Sequence, residues 1–236
     1  MDIIYEDNHL IALNKHSGEM VQGDRTGDIP LSEQLKDFIK VRDNKPGNVF
    51  VGVIHRIDRP VSGVTVFAKT SKALGRMNLL VRERHFHKIY WAIVQNRPPK
   101  DKDTLVHYLR KNEAQNKSYV VAGNVKGALE ASLSYTLAGA SDRYFLLEID
   151  LHTGRHHQIR AQLAAIGCPI RGDLKYGFPR SNTDGSISLH ARQISFVHPI
   201  KKEPIIIVAP TPADRLWSAV ATVVNCQLSI VNCQLG

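Results

Sequence analysis

The segment VFVGVIHRIDRPVSGVTVFA, residues 49–68, contains two short apolar stretches separated by a charged loop. The outer stretches, 49–54 and 64–68, are rich in β-branched residues, and this composition predicts two strands. The loop between them contains His55 and Asp58, and loops on a rigid scaffold often carry function. We therefore expect a strand–loop–strand unit that presents these side chains.

Asp58 is the chemically informative residue of this loop. It is flanked by Arg56 and Arg59, and either guanidinium group would favour its charged form. An ionised carboxylate in this setting can act as a nucleophile or a general base. A single loop aspartate more often accepts hydrogen bonds from nearby backbone N–H groups in a turn. The loop residues alone leave both interpretations open.

Outside this unit, short strands alternate with a few helices. The pattern predicts an N-terminal hairpin over 3–13, helices over 31–41, 71–84 and 157–166, a strand over 90–94, a hairpin joining 129–137 to 144–151, and strands over 188–197 and 205–209. Ser71 is the predicted cap of the second helix, and the polar residues 96–117 are predicted to form a surface excursion. Because regular βαβ alternation is missing, we expect an α+β fold with a largely antiparallel sheet.

The composition excludes several classes of protein. With 43% hydrophobic and 22% charged residues in 236, the chain is neither a disordered regulator, a collagen-like fibre nor a disulfide miniprotein. No apolar run approaches the roughly 18 residues of a membrane span, and the N-terminus lacks a signal-peptide pattern, so we expect a cytoplasmic protein. The three cysteines show no C-x-x-C spacing, which suits a reducing compartment and implies no metal site.

The net charge of +9 favours a polyanionic partner such as a nucleic acid, although solubility alone could explain it. Two segments concentrate the excess. Residues 69–88 contain six Lys or Arg against one Glu, and residues 155–180 contain five against Asp173 alone. These two basic clusters indicate a nucleic-acid surface.

A third group of polar residues begins at His152. Thr153 and Gly154 lead into a predicted helix, whose backbone N–H groups would suit an anion. His152 and His156 have a spacing compatible with zinc, but Gly154 weakens a helix there and no third ligand is evident. Ordinary polar contacts are therefore the preferred interpretation.

The motif His55-Arg56-Ile57-Asp58-x-x-x-Ser62-Gly63 resembles the catalytic motif of the RluA-type pseudouridine synthases, usually written HRLDxxTSG. Four further segments are similar to that family in the same order: Lys88-x-Tyr90-x-Ala92, Gly154-Arg155-x-His157-Gln158-Ile159-Arg160, Gly167-x-Pro169-Ile170-x-Gly172-Asp173-x-x-Tyr176-Gly177, and Leu189-His190-Ala191 with Phe196-x-His198-Pro199. Together they cover roughly residues 1–210. Ile57, Val61 and Gln162 depart from the usual Leu, Thr and His.

The resemblance implies a mixed, largely antiparallel central sheet flanked by helices, with a catalytic cleft across the sheet. It implies a catalytic domain over 1–212. The sequence itself predicts a helical, low-complexity tail over 213–236, in which Val-Asn-Cys-Gln-Leu occurs twice and which has no counterpart in the family motifs. The family's frequent S4 RNA-binding domain is expected to be absent, because the sequence starts directly on the first hairpin.

The resemblance also implies the reaction, which is isomerisation of uridine to pseudouridine in structured ribosomal or transfer RNA. No cofactor, metal or membrane is expected, and the protein is expected to be a monomer. Asp58 would be the nucleophile or base, paired with Arg160, while Tyr90 stacks on the uracil and moves a proton. Arg56 would fill the space left by a flipped-out uridine. The other expected substrate-binding residues are His55, Lys88, Gly154, Arg155 and Leu189.

Two other functions remain open. A non-catalytic RNA-binding protein could keep the fold and the basic clusters, although the joint presence of Asp58, Tyr90 and Arg160 argues against it. A glycosidase-like hydrolase usually needs two carboxylates. Only Asp58 and perhaps Asp173 are available, and Asp173 follows a glycine in a predicted turn.

Overall fold

The computed structural model describes residues 1–23 and 27–220. The chain divides into two compact units: a first unit of Met1–Lys88 with Ala191–Pro210, and a second unit of Ile89–His190 with Thr211–Gly236. In chain order the elements are β1 (Ile3–Glu6), β2 (Leu10–Lys15), α1 (Leu31–Arg42), β3 (Gly52–Val53), β4 (Ser62–Ala68), α2 (Ser71–Arg82), β5 (His87–Val94), β6 (Lys102–Asn112), β7 (Lys117–Val121), β8 (Leu129–Ala140), β9 (Phe145–Leu151), α3 (Gln158–Ala165), a 3₁₀ turn η1 (Leu174–Tyr176), β10 (Leu189–Val197) and β11 (Pro204–Val208).

The sheet of the first unit has the order β1-β2-β4-β10, with β3 paired to β4 and β11 paired to β10. The predicted N-terminal hairpin is confirmed, because β1 and β2 are antiparallel. Its turn is stabilised by Asp7, whose Oδ1 accepts hydrogen bonds from the N–H groups of His9 and Leu10, both at 2.8 Å. The central strand β4 is buried along its whole length, so the motif loop that precedes it is attached to a rigid core.

Helix α2 packs its buried residues Ala73 and Met77 into the core of this unit. The predicted cap at Ser71 is wrong by one residue. Thr70 has extended backbone angles, and its side chain accepts the N–H of Ala73 at 3.1 Å. Adjacent Thr and Ser can both cap a helix, and the backbone geometry places the hydroxyl of Thr70 under the first turn.

The sheet of the second unit has the order β5-β9-β8-β6-β7. The predicted hairpin of β8 and β9 is confirmed. The surface excursion predicted for 96–117 is wrong, because β6 is an eleven-residue strand paired with β8 on one side and β7 on the other. Only Leu105 and Leu109 of β6 are buried. The charged residues of its exposed face obscure the alternation that identifies a strand.

Helix α3 packs on this second sheet in a core cluster of Leu109, Ala131, Ala161 and Tyr176. The helix starts at Gln158, one residue later than predicted, because His157 adopts a left-handed conformation with φ of 51°. Gly154 therefore lies four residues before the helix. The prediction that Thr153 and Gly154 form an anion site at a helix N-terminus is wrong.

The start of the predicted C-terminal tail packs in the second unit. Residues 215–220 are helical, and Trp217 and Val220 are buried in a cluster with Trp91, Ile93 and Leu146. The repeated Val-Asn-Cys-Gln-Leu segments lie outside the described residues, and the domain boundary at 212 stays a prediction. None of the helices in the described ranges is long and apolar enough to cross a membrane.

Candidate active site

The loop that contains Asp58 connects β3 to β4 in the first unit, and its backbone is fixed by the end of β2. The carbonyl oxygen of Arg59 accepts hydrogen bonds from the N–H of Gly18 at 2.9 Å and from Nζ of Lys15 at 3.1 Å. The carbonyl oxygen of Asp58 accepts the N–H of Val61 at 3.0 Å, which closes a tight turn. These hydrogen bonds fix the backbone of Asp58 and Arg59 in a tight turn.

Lys15 is a buried cation near Asp58 that the sequence analysis did not consider. It is fully buried at the end of β2, and its Nζ donates a second hydrogen bond to the carbonyl oxygen of His16 at 2.9 Å. Burial lowers the pKa of Lys15 to about 8, while the carboxylates of Glu19 and Asp58 act in the opposite direction. A cation therefore lies close enough to Asp58 to interact with its charge. The available signal was a lysine at the end of an otherwise apolar strand.

Within the loop, Asp58 is partly buried and Arg56 is exposed. Arg59 forms an ion pair with Asp28, with Nη2 2.7 Å from Oδ2. The loop thus combines a shielded carboxylate with an exposed guanidinium group two residues earlier. That combination suits a reactive carboxylate beside a side chain that can enter an RNA stack.

Gly63 explains why the motif ends in glycine. Its φ of +115° lies in a region that side chains rarely adopt, and a Cβ atom there would collide with the backbone of Ala191 on β10. Only glycine lets β4 approach β10 so closely at this point.

His55 is a neutral, partly buried member of the loop. Its Nε2 accepts the N–H of Val66 at 3.1 Å, so the ring proton lies on Nδ1. Burial, followed by the charge of Lys88, lowers the pKa of His55 to about 3. Burial also lowers the pKa of Lys88. Among the described residues, Nδ1 of His55 has no hydrogen-bond partner.

Arg160 is the anchored cation of the second unit. Its Nε lies 2.7 Å from Oδ2 of Asp173 and its Nη2 lies 2.9 Å from Oδ1, with side-chain exposures of 6% and 1%. The ring centroid of Tyr176 is 5.0 Å from Cζ of Arg160. The sequence analysis read Asp173 as a turn residue and gave it no part in positioning Arg160. The predicted pairing of Arg160 with Asp58 concerns two separate units and stays a prediction.

Hydrogen bonds to the Tyr176 hydroxyl group hold the ring that contacts Arg160. The N–H of Ser118 donates to this oxygen at 2.9 Å, and the hydroxyl lies 3.1 Å from both the carbonyl oxygen of Ser118 and Nδ1 of His157. His157 is held in its left-handed conformation at the start of α3. Burial, followed by the charge of Arg160, lowers the pKa of His157 to about 2. This network links β7, η1 and α3 around the guanidinium group.

The side chain of Gln158 fixes the conformation of the residues before α3. Its Oε1 accepts hydrogen bonds from the Thr153 hydroxyl at 2.7 Å and from the N–H of Arg155 at 3.0 Å. Nε of Arg155 donates to the carbonyl oxygen of Glu130 at 2.9 Å, so this exposed guanidinium group is partly ordered. Gly154 lies between the two residues that Gln158 fixes.

Comparisons with known proteins identify the family. Residues 9–165 match RNA pseudouridylate synthase. The chain belongs to this family. It is 31% identical over 215 residues to ribosomal large subunit pseudouridine synthase C of Buchnera aphidicola subsp. Baizongia pistaciae, covering 88% of this chain and 66% of that protein. It is 29% identical over 250 residues to tRNA pseudouridine synthase C of Vibrio cholerae, covering 98% of each.

The fold agrees with a solved structure, human RNA pseudouridylate synthase domain containing 4. The TM-score is 0.76 at 23% identity, with 95% of this chain and 93% of that chain covered. The predicted family and α+β fold are therefore confirmed, and the expected function class is confirmed at the level of the family. The chain spans about two thirds of the length of the Buchnera relative. The predicted monomer and cytoplasmic location stay predictions.

Two other residues expected at a pseudouridine synthase site are buried in the second unit. Tyr90 is 7% exposed on β5, opposite Ile149, and Leu189 is 3% exposed at the start of β10. At Gln162, which departs from the family pattern, Nε2 donates to the carbonyl oxygens of Leu105 and Ala131, both at 3.1 Å, while Oε1 has no hydrogen-bond partner among the described residues. Gln162 therefore ties α3 to β6 and β8.

The histidines that suggested zinc have polar partners in this pseudouridine synthase. Nδ1 of His152 lies 3.1 Å from Oγ of Ser132, and Nδ1 of His156 lies 2.9 Å from Oγ of Ser118. Within residues 1–23 and 27–220, no group of three or more His, Cys, Asp or Glu side chains could hold a metal ion. Cys168 is buried, and burial raises its pKa.

Proposed function

We propose that this chain isomerises uridine to pseudouridine in structured RNA, with Asp58 as the reactive carboxylate. Membership of the RNA pseudouridylate synthase family, matched over the segment that contains Asp58, is the observation that carries the proposal. In this reaction the glycosidic bond breaks, the base rotates and a carbon–carbon bond forms to the sugar. The carbon of the new bond loses a proton and the released nitrogen gains one, so the mass is unchanged.

Asp58 must remain ionised to act as nucleophile or base. Lys15 supports this requirement because its buried ammonium group interacts favourably with the Asp58 charge. The hydrogen bonds to the carbonyl oxygen of Arg59 hold the backbone after Asp58 in one position. Pre-positioning of the reacting group lowers the entropic part of the barrier.

Access to the uridine requires base flipping, since a base stacked in structured RNA is out of reach of the enzyme. Arg56 would occupy the vacated space, because a planar guanidinium group can stack where the base was. Its exposure on the Asp58 loop supports this role. His55 would support the RNA-binding loop from within, since its Nε2 accepts the N–H of Val66 on β4.

Tyr90, Arg160 and Leu189 complete the proposed machinery. Tyr90 would stack on the uracil and move a proton with its phenol, and Leu189 would pack beneath the ring. Arg160 would orient the Asp58 carboxylate through a charge-assisted hydrogen bond. The rigid hold of Asp173 on Arg160 supports this assignment, because an immobile guanidinium group can orient a partner. Lys88, Gly154 and Arg155 would contact the RNA.

The RNA substrate is ribosomal or transfer RNA under this proposal. The two relatives described above are named for the ribosomal large subunit and for tRNA. The basic clusters support an RNA partner in general, although Lys69 is engaged by an ion pair with Glu6 and Arg160 is buried in its ion pair with Asp173.

The test is direct. Purified protein is incubated with total RNA from a strain that lacks this gene, and pseudouridine is mapped by carbodiimide labelling. New labelled positions at unchanged RNA mass are expected. RNA binding without labelling would instead indicate the non-catalytic RNA-binding protein, and release of free uracil would indicate a hydrolase.

A further inference from the structure

The β6–β7 hairpin contributes lysines that the proposed chemistry does not use. Lys111 lies near the end of β6, Lys117 is the first residue of β7, and Lys175 lies on η1. We call these three residues the lysine surface. The first two belong to the segment 96–117 that the sequence analysis treated as an excursion.

The lysine surface is ordered around Tyr176. Nζ of Lys117 lies 4.9 Å from the centroid of the Tyr176 ring, which is the ring that also contacts Arg160. Nζ of Lys175 lies 3.2 Å from the carbonyl oxygen of Asn116, in the turn between β6 and β7. These contacts place the hairpin turn and η1 side by side, close to the anchored Arg160.

The low pKa of His157 also indicates that several positive side chains lie near its ring. Burial is the first cause of its low pKa, and the charges of Arg160, His156, Lys175 and Lys111 all lower it further. Three of these groups are the side chains of Arg160, Lys175 and Lys111, so positive charges from η1, α3 and β6 lie near this one ring.

Acidic side chains neutralise the lysine surface only weakly. Nζ of Lys111 lies 2.6 Å from Oε2 of Glu113, but the Glu113 side chain is 79% exposed. An ion pair this exposed is weak and is readily exchanged for another anion. Asp173, two residues before Lys175, is engaged by Arg160. Cations held together in this way favour binding of an external anion.

We propose that the lysine surface binds the phosphates of the RNA strand that contains the reacting uridine. The inference rests on the proposed function, because it takes RNA as the ligand. Lysine provides a point charge that contacts phosphate without reading sequence. Because Lys117 and Arg160 contact the same Tyr176 ring, a phosphate bound there lies beside the arginine of the proposed site. The surface would thus align the strand as it reaches Arg160.

The test measures how the affinity for a fluorescein-labelled oligouridylate depends on salt. The variant Lys111→Gln/Lys117→Gln leaves the Lys175 contacts in place, and Lys36→Gln/Lys40→Gln on α1 removes the same charge as a control. The slope of log affinity against log salt should become shallower by about 1.4 in the first variant, or about 0.7 for each lost phosphate contact. The α1 variant should keep the wild-type slope. Melting temperatures confirm that both variants are folded.

An unchanged slope in the first variant would overturn the inference, as would an equal change in both variants, which would show an effect of net charge alone. Carbodiimide labelling of RNA treated with the wild-type protein is measured in parallel. If the wild type forms no pseudouridine, the proposed function fails, while the difference in slope still decides whether the lysine surface binds RNA.

Discussion

Arg160 and Asp173 form a bidentate ion pair that is almost completely shielded from water, with N···O distances of 2.7 and 2.9 Å. A buried pair of this kind loses much of its Coulomb attraction to desolvation, so it contributes little net stability. It does fix the orientation of the guanidinium group, which is what a residue that orients a catalytic carboxylate requires.

Asp173→Asn should destabilise the protein by about 3 kcal/mol or more, because Arg160 then stays buried without its carboxylate partner. Urea unfolding measures the loss. Asp101→Asn is the matched control, since the Arg97–Asp101 pair has the same 2.7 Å distance but side chains that are 59% and 66% exposed. The control should cost less than about 1 kcal/mol. Equal losses would show that Asp173 is not a buried anchor.

The unfolding free energy should decrease as pH falls below about 6.5, in part because of His157. Its pKa is about 2 in the folded chain and near 6.5 in an unfolded chain, so acid protonates the unfolded state first. In His157→Asn, the asparagine tolerates the left-handed conformation, and the group that takes up the proton is lost. Denaturant titrations at several pH values should show a shallower pH dependence for the variant. His85→Asn, at a side chain 67% exposed, is the control. A slope identical to wild type in His157→Asn would contradict the prediction.

Tyr90→Phe should bind RNA normally but form pseudouridine about a hundredfold more slowly or worse, because the ring can still stack while the proton-transferring phenol is lost. Single-turnover rates and affinities on one RNA measure both effects. Tyr135→Phe is the control, since this buried hydroxyl only donates to the carbonyl oxygen of Lys100. Wild-type turnover in Tyr90→Phe would leave Tyr90 as a stacking or core residue.

Arg82 and Arg84 should contribute phosphate contacts from the first basic cluster, since both are exposed at the end of α2. Arg84 has φ of 62°, so Arg84→Gly avoids the strain that alanine would add there. Arg82→Ala with Arg84→Gly should make the slope of log affinity against log salt shallower by about 1.4 on single-stranded RNA. A slope equal to that of the wild type would exclude both residues from the RNA interface.

The N-terminal hairpin was predictable because two short apolar runs flank a polar turn, and the β8–β9 hairpin because β8 alternates apolar and polar residues before an evident turn. Strand β6 was not predictable in this way, because only Leu105 and Leu109 mark its buried face. The start of α3 was also shifted, because the left-handed conformation of His157 depends on contacts with Tyr176 that are distant in sequence.

The residues of the candidate site were likewise only partly predictable from the sequence. Asp58 was proposed from its local motif, and the family resemblance added Tyr90 and Arg160; these assignments stay predictions. The burial of Lys15 and the pairing of Asp173 with Arg160 were not predicted, because both depend on partners far along the chain. A lysine in a strand and an aspartate after a glycine carry no such information by themselves.

The most direct test of the account is Asp58→Asn, studied on one preparation for melting temperature, RNA affinity and pseudouridine formation. Asparagine is nearly isosteric and keeps a hydrogen-bond acceptor, but it lacks the ionised oxygen that nucleophilic or base catalysis requires. Asp37→Asn on the exposed face of α1 is the matched control and should behave as wild type. We predict that Asp58→Asn folds, binds RNA within a few-fold of wild type and forms no pseudouridine. Pseudouridine formation by folded Asp58→Asn at the wild-type rate would contradict the central claim.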